Sequence, residues 1–94
     1  MTTETVASAI TRKLEQALAP ENLTVVDESH RHAGHAGAPA GGESHFKVEV
    51  VSAEFDGKSR LERQRLVYQI LSEELAGPVH ALSVTTRTPA EAGN

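Results

Sequence analysis

Five histidines and no cysteine stand in this chain of 94 residues. His30, His32 and His35 form the pattern H-x-H-x-x-H. His45 follows a Gly/Ala/Pro-rich stretch, and His80 stands alone far downstream. Neutral imidazole is the commonest metal ligand. Three imidazoles at this spacing could bind zinc, copper or nickel. The same spacing also suits a solvated polar loop whose histidines do nothing specific, because fixed Cys/His motifs are far stronger signals. Iron–sulfur chemistry mostly requires thiolates, and this chain supplies none. A metal site here is therefore all-histidine, or shared with a partner that brings the sulfur. His80 by itself reads equally as a histidine satisfied by a local hydrogen bond or stabilised near a helix C-terminus. A loop on one strand connection could still reach the start of another strand, so His32 and His80 could converge.

The second constellation is Lys58-Ser59-Arg60-Leu61-Glu62-Arg63-Gln64-Arg65. It holds four basic residues and one acid, a net of +3, against -4 for the whole chain. The remainder carries -4 - 3 = -7. Lys58, Arg60, Arg63 and Arg65 could present a phosphate-binding helix start. The plainer alternative is a solvated face with charge pairing such as Glu62 with Arg65. Catalytic motifs are weaker. Ser29, Ser44, Ser52 and Ser59 lie near histidines or acids without a nucleophile elbow. Glycines 34, 37, 41 and 42 do not match a phosphate-binding loop, and no G-K-[ST] is present. No catalytic residue is assigned, and an enzyme is the weakest of the functional classes.

The elements that must position these residues follow from periodicity. Residues 4–18 place Val6, Ala7, Ile10, Leu14, Ala17 and Leu18 at helical spacing, and Pro20 ends the segment. Leu23–Val26 is a short β-rich run extending toward Ser29. Residues 30–43 form the His/Gly/Ala loop, with composition that favours mobility. Phe46, Val48 and Val50 alternate with Lys47 and Glu49, the period of a half-buried strand. The unit predicts an antiparallel hairpin with a long connection. Asp56-Gly57 is a turn, and Ser59…Glu62 has the form of a capping box. A second helical stretch, broken near its start, runs to about Leu75 with Val67, Ile70, Leu71 and Leu75 as its stripe. Gly77-Pro78 stops it. Ala81–Thr86 reads as a last strand, and residues 89–94 as a frayed, disordered tail.

The order is α-β-β-α-β in one domain, 1–94, an α+β arrangement with a helix on one face of a small sheet. The start, Met1-Thr2-Thr3-Glu4-Thr5, lacks a signal peptide's basic region and apolar run. No apolar run approaches membrane-spanning length. The expectation is a soluble intracellular protein of the bacterial cytoplasm or an organelle matrix. Acidic net charge and only three aromatics (Phe46, Phe55, Tyr68) count against a nucleic-acid-coating surface.

Three separate runs carry a family resemblance. They are Val25-Val26-Asp27-Glu28-Ser29-His30-Arg31-His32 with Glu43-Ser44-His45-Phe46-Lys47-Val48; Phe55-Asp56-Gly57-Lys58 through Tyr68; and Glu73-Glu74-Leu75 with Val79-His80-Ala81-Leu82-Ser83. In this order, across nearly the whole chain, they resemble the BolA family. The resemblance implies a fold like the class II KH domain, α-β-β-α-α-β, with helices on one face of a three-stranded sheet. It implies a monothiol glutaredoxin partner with a Cys-Gly-Phe-Ser site, and a 2Fe-2S cluster shared with that partner and glutathione. The isolated chain would hold no tightly bound cofactor. It implies His80 as one cluster ligand and a loop histidine as the other: His32 by its place after Glu28-Ser29-x-Arg31, with His35 as the alternate in a lengthened loop. The implied role is iron–sulfur trafficking or iron/redox sensing, by a free protein that is a monomer or weak dimer. The alternative is a DNA-binding transcriptional regulator using Lys58, Arg60, Arg63 and Arg65.

Overall fold

Thr5 begins the ordered architecture by capping the first helix: its hydroxyl accepts the Ser8 N–H at 3.0 Å. In this computed structural model, residues 5–28 and 44–93 are described. Helix α1, Val6–Leu18, buries Ile10, Leu14 and Leu18, one residue per turn on a single face. It ends at Ala19, which is left-handed (φ 42°), donating its N–H to the Glu15 carbonyl at 3.1 Å.

Strands β1, Asn22–Asp27, and β2, His45–Val51, pair antiparallel with Leu23 opposite Val50 and Val25 opposite Val48, as the hairpin expectation requires. On β2, Phe46, Val48 and Val50 are buried while Lys47 is exposed, so one face of the sheet meets the core. Ser52 then turns the chain into a short 3-10 turn, Ala53–Phe55, which sinks Phe55 completely. Gly57 follows at φ 79°, a conformation that costs a side-chain-bearing residue.

Helix α2, Arg60–Ile70, starts with the capping box anticipated from sequence. The Ser59 N–H donates to Glu62 Oε1 at 2.8 Å, and Ser59 Oγ accepts the Glu62 N–H at 3.2 Å. The helical stretch breaks at its end rather than near its start. Leu71, with φ -100° and ψ 22°, separates α2 from α3, Ser72–Ala76. The break leaves Leu71 in the core and turns Glu73 and Glu74 toward α1, where Lys13 Nζ meets Glu73 Oε1 and Glu74 Oε2, each at 2.8 Å.

Strand β3, Ala81–Arg87, pairs parallel to β2 with His45 opposite Ala81 and Val51 opposite Arg87. The sheet order is β1-β2-β3, with β2 central. The crossover through α2 and α3 is what a parallel neighbour demands. Together Ile10, Leu14, Phe46, Val48, Val50, Phe55, Val67 and Leu71 form one core between the helices and the sheet.

The tail departs from expectation. Residues 89–92 are not frayed: Pro89–Ala92 forms α4, capped by a second box in which the Thr88 N–H donates to Glu91 Oε1 at 2.8 Å and Thr88 Oγ1 accepts the Glu91 N–H at 3.2 Å. Thr88 is buried, and Glu91 is tied to α2 through Arg63 at 2.8 Å, which holds so short a helix in place. Asn94 and the loop residues 29–43, including His30, His32 and His35, lie outside the described residues.

Candidate metal centre

Position 80 is set by what surrounds it. The Glu74 carbonyl accepts the N–H groups of both Gly77 (3.2 Å) and Val79 (3.0 Å), reversing the chain after α3. A Cβ at Gly77 would meet the Glu73 carbonyl at 3.3 Å, so the turn is tight there. Val79 is buried as an anchor, and the next side chain, His80, emerges exposed. Its backbone N–H donates to the Ser44 carbonyl at 2.7 Å, and that of Ala81 donates to the same oxygen at 3.2 Å. One carbonyl from the start of β2 thus fixes the start of β3.

The residue after Ser44 is His45. Its ring lies against that of His80, with centroids 6.5 Å apart and planes inclined by 15°. The sequence reading placed His32, with His35 as alternate, beside His80. Those two lie outside the described residues; among the described residues, the histidine beside His80 is His45. Sequence periodicity placed His45 at the mouth of β2; only the parallel register, His45 against Ala81, makes it a neighbour of His80.

Ser44 is buried, and its Oγ lies 2.8 Å from His45 Nδ1. If the imidazole donates there, Nε2 is the unprotonated nitrogen; if the hydroxyl donates, Nε2 carries the proton. In the first arrangement Ser44 acts as the outer hydrogen-bond partner that typically orients a metal-ligating histidine. The stacked rings do not aim at one common point. A shared ion would sit about 2.0–2.1 Å from each ligating nitrogen, so one ring must turn edge-on to reach it. Among the described residues, no group of three or more His, Cys, Asp or Glu side chains is arranged to hold a metal. Two imidazoles fill half of a tetrahedral site. Such a donor set suits a centre completed by other ligands, as in iron–sulfur centres where two imidazoles replace two thiolates on one iron.

The hairpin closes on the same spot, because the Glu28 N–H donates to the His45 carbonyl at 2.7 Å. The segment carrying His30, His32 and His35 therefore leaves and re-enters the described structure beside the pair.

The basic stretch does not form one face. Arg63 is buried, its Nε donating to the Lys58 carbonyl at 3.0 Å and its two terminal nitrogens to the Glu91 carboxylate at 2.8 and 3.2 Å. It also lies over the Phe55 ring, 5.9 Å from the centroid. The Arg63 guanidinium, followed by the Thr88 N–H, lowers the Glu91 carboxyl to about 2, and the same pairing raises Arg63. The Glu62 carboxyl is lowered chiefly by the Ser59 N–H, so this acid serves its helix cap first. Lys58, Arg60 and Arg65 remain exposed, with Arg65 about 140° around the helix from Arg60. No described helix is long and apolar enough to cross a membrane.

Comparison with known proteins fits this architecture. The family model for BolA-like protein matches residues 14–91. BolA-like protein 1 of Mus musculus is 57% identical over 86 residues, covering 92% of this chain and 60% of the relative, so the chain spans about three fifths of that protein's length. Among solved structures, the BolA domain of SufE1 from Arabidopsis thaliana superposes with a TM-score of 0.83 at 43% identity, covering 96% of this chain and 99% of that one. The solution structure of BolA1 from Mus musculus gives a TM-score of 0.75 at 55% identity, covering 90% and 66% respectively. With a family match over most of its length and the same α+β architecture, the chain belongs to the BolA-like protein family.

Proposed function

We propose that this chain is a non-enzymatic accessory protein that binds a monothiol glutaredoxin and contributes imidazole ligands to a bridging 2Fe-2S cluster, in iron–sulfur trafficking or iron/redox sensing. The observation that carries the reading is the His45–His80 pair, two stacked imidazoles at the starts of β2 and β3, where the Ser44 carbonyl accepts the His80 and Ala81 N–H groups. The donor chemistry agrees: the chain has no thiolate, so its histidines fit a centre whose sulfur ligands come from the glutaredoxin and glutathione. When bound, a cluster with two imidazole ligands has a raised potential and less negative charge than an all-thiolate one. The chain's own contribution is positional. His80 projects from a tight, hydrogen-bonded turn, and Ser44 contacts the His45 ring at Nδ1. The family resemblance assigns the second ligand to His32, with His35 as alternate in the same loop, and the described geometry adds His45 as a rival. The cellular setting of this role is the cytoplasm or an organelle matrix.

The test is anaerobic mixing with a glutaredoxin of the Cys-Gly-Phe-Ser type, iron, sulfide and glutathione. His80→Ala is expected to change the visible spectrum and weaken the mixed complex. A His80→Ala protein indistinguishable from wild type removes the ligand assignment. Parallel His32→Ala, His35→Ala and His45→Ala variants identify the second ligand.

DNA binding is the second reading, favoured by exposed Lys58, Arg60 and Arg65 near the start of α2. With Arg63 engaged internally, at most three of the four cations remain for phosphates. Measured affinity for duplex DNA is then expected to show a salt slope reduced by their combined replacement with alanine; an unchanged slope excludes this surface.

A further inference from the structure

A groove of about 570 Å³ runs between the first turns of α2 and the last residues of β3. It lies at the opposite end of β3 from His80, about 20 Å away at the usual rise per strand residue. Arg60 and Gln64 form the helical wall, Thr85, Thr86 and Arg87 the strand wall, and the Arg63–Glu91 ion pair lies between them.

The charge in this groove is unbalanced in a specific way. Glu91 is committed to Arg63 through both carboxylate oxygens. Among the described residues, the Arg60 and Arg87 side chains have no hydrogen-bond or ion-pair partner. Two arginines thus line one groove from its two walls, and among the described residues neither guanidinium is paired. Guanidinium forks are suited to multi-oxygen anions, and one on each wall can engage different oxygens of the same group. The excess of two positive charges matches a dianion better than a single carboxylate.

The volume and remaining lining narrow the class. The cavity exceeds what a lone ion fills and falls within the range of small-molecule sites. Thr85 and Thr86 alternate across the strand, so one hydroxyl faces the helical wall. Gln64 brings an amide carbonyl, its nitrogen already donating to the Tyr68 hydroxyl at 3.2 Å. Among the described residues, no aromatic ring lines the groove, so they offer no stacking surface for a base. The capping box fills the nearby N-terminus of α2, leaving the side chains to do the binding.

We propose that this groove is a binding site for a small hydroxylated phosphate monoester, its phosphate held between Arg60 and Arg87. The site is separate from the histidine pair, and its fate does not depend on the cluster reading.

The test is an NMR titration of the ¹⁵N-labelled chain with ribose 5-phosphate at fixed ionic strength, with ribose and added chloride as controls. Saturable shifts are expected at Arg60, Gln64 and Val84–Arg87. Arg60→Gln/Arg87→Gln should weaken binding at least about tenfold, the worth of one lost charge-assisted hydrogen bond. Lys58→Gln/Arg65→Gln, outside the groove, should change the affinity by less than about twofold, as for exposed charges. A dispersed amide spectrum of each variant confirms folding. Non-saturating shifts, equal response to chloride, or unchanged affinity of the Arg60/Arg87 variant overturns the proposal. So does a response of these amides to duplex DNA without one to ribose 5-phosphate.

Discussion

Ser52 joins three parts of the fold, and its replacement by alanine should be costly far beyond its size. The side chain is fully buried. Its Oγ donates to the Leu18 carbonyl at the end of α1 at 2.6 Å and accepts the Glu54 N–H at 3.1 Å, while its backbone N–H donates to the Arg87 carbonyl at 3.0 Å. Alanine keeps the backbone bond and removes both side-chain bonds. Leu18 is 2% exposed, so water does not readily replace the lost donor at its carbonyl. A buried acceptor orphaned in this way costs about 1–3 kcal/mol. The lost cap of the 3-10 turn adds about 1 kcal/mol, for a total of roughly 2–4 kcal/mol. A domain of this length unfolds with an entropy of roughly 0.2 kcal/mol/K, so the midpoint should fall by roughly 10–20 °C. Thermal melts by circular dichroism measure this directly, with the exposed Ser83→Ala as a control expected within about 0.5 kcal/mol of wild type. A Ser52→Ala protein melting within about 3 °C of wild type refutes the reasoning, because it means the Leu18 carbonyl is satisfied another way.

Other outcomes follow from named contacts. The Arg63–Glu91 clasp stabilises the fold fully above the ordinary Glu pKa of 4.5 and loses that contribution as pH falls from there through about 2. Acid titration followed by the Arg63 side-chain signals should therefore show α4 loosening in that window, and Glu91→Gln should abolish the pH dependence of this step. Phe55→Ala, emptying a fully buried site beneath Arg63, should destabilise by about 3–5 kcal/mol in urea unfolding. Ala19→Gly should raise stability by up to about 1 kcal/mol, because it relieves a left-handed residue whose methyl group has no compensating burial. A loss of stability in Ala19→Gly under the same denaturant would argue that the cap strain is negligible.

Much of the frame was legible in residue pattern. The i, i+4, i+8 apolar line of α1, the alternation in β2 and the Ser59–Glu62 box are local signals, and the structure places each as read. The same logic applied to Thr88-Pro89-Ala90-Glu91 would have revealed α4, but the small polar composition of the tail hid it; its stability comes from Arg63, a residue 28 positions away. The break at Leu71 carries no glycine or proline to announce it. Of the candidate site, His80 stood out by its motif, yet its juxtaposition with His45 depends on β3 joining the sheet parallel to β2, a long-range choice that periodicity does not encode. Arg63 illustrates the opposite difficulty. In sequence it is one of four equivalent cations, and only packing against Phe55 and Glu91 separates a structural arginine from surface ones.

The central claim is that this chain supplies imidazole nitrogen to a cluster shared with a glutaredoxin. Pulsed electron paramagnetic resonance of the reduced mixed complex, with only this chain carrying ¹⁵N-labelled histidine, tests it most directly. Strong ¹⁵N couplings from directly bound nitrogen are expected, with one set lost in His80→Ala. A cluster-loaded complex that shows no ¹⁵N coupling, or couplings unaltered by His80→Ala, would contradict it.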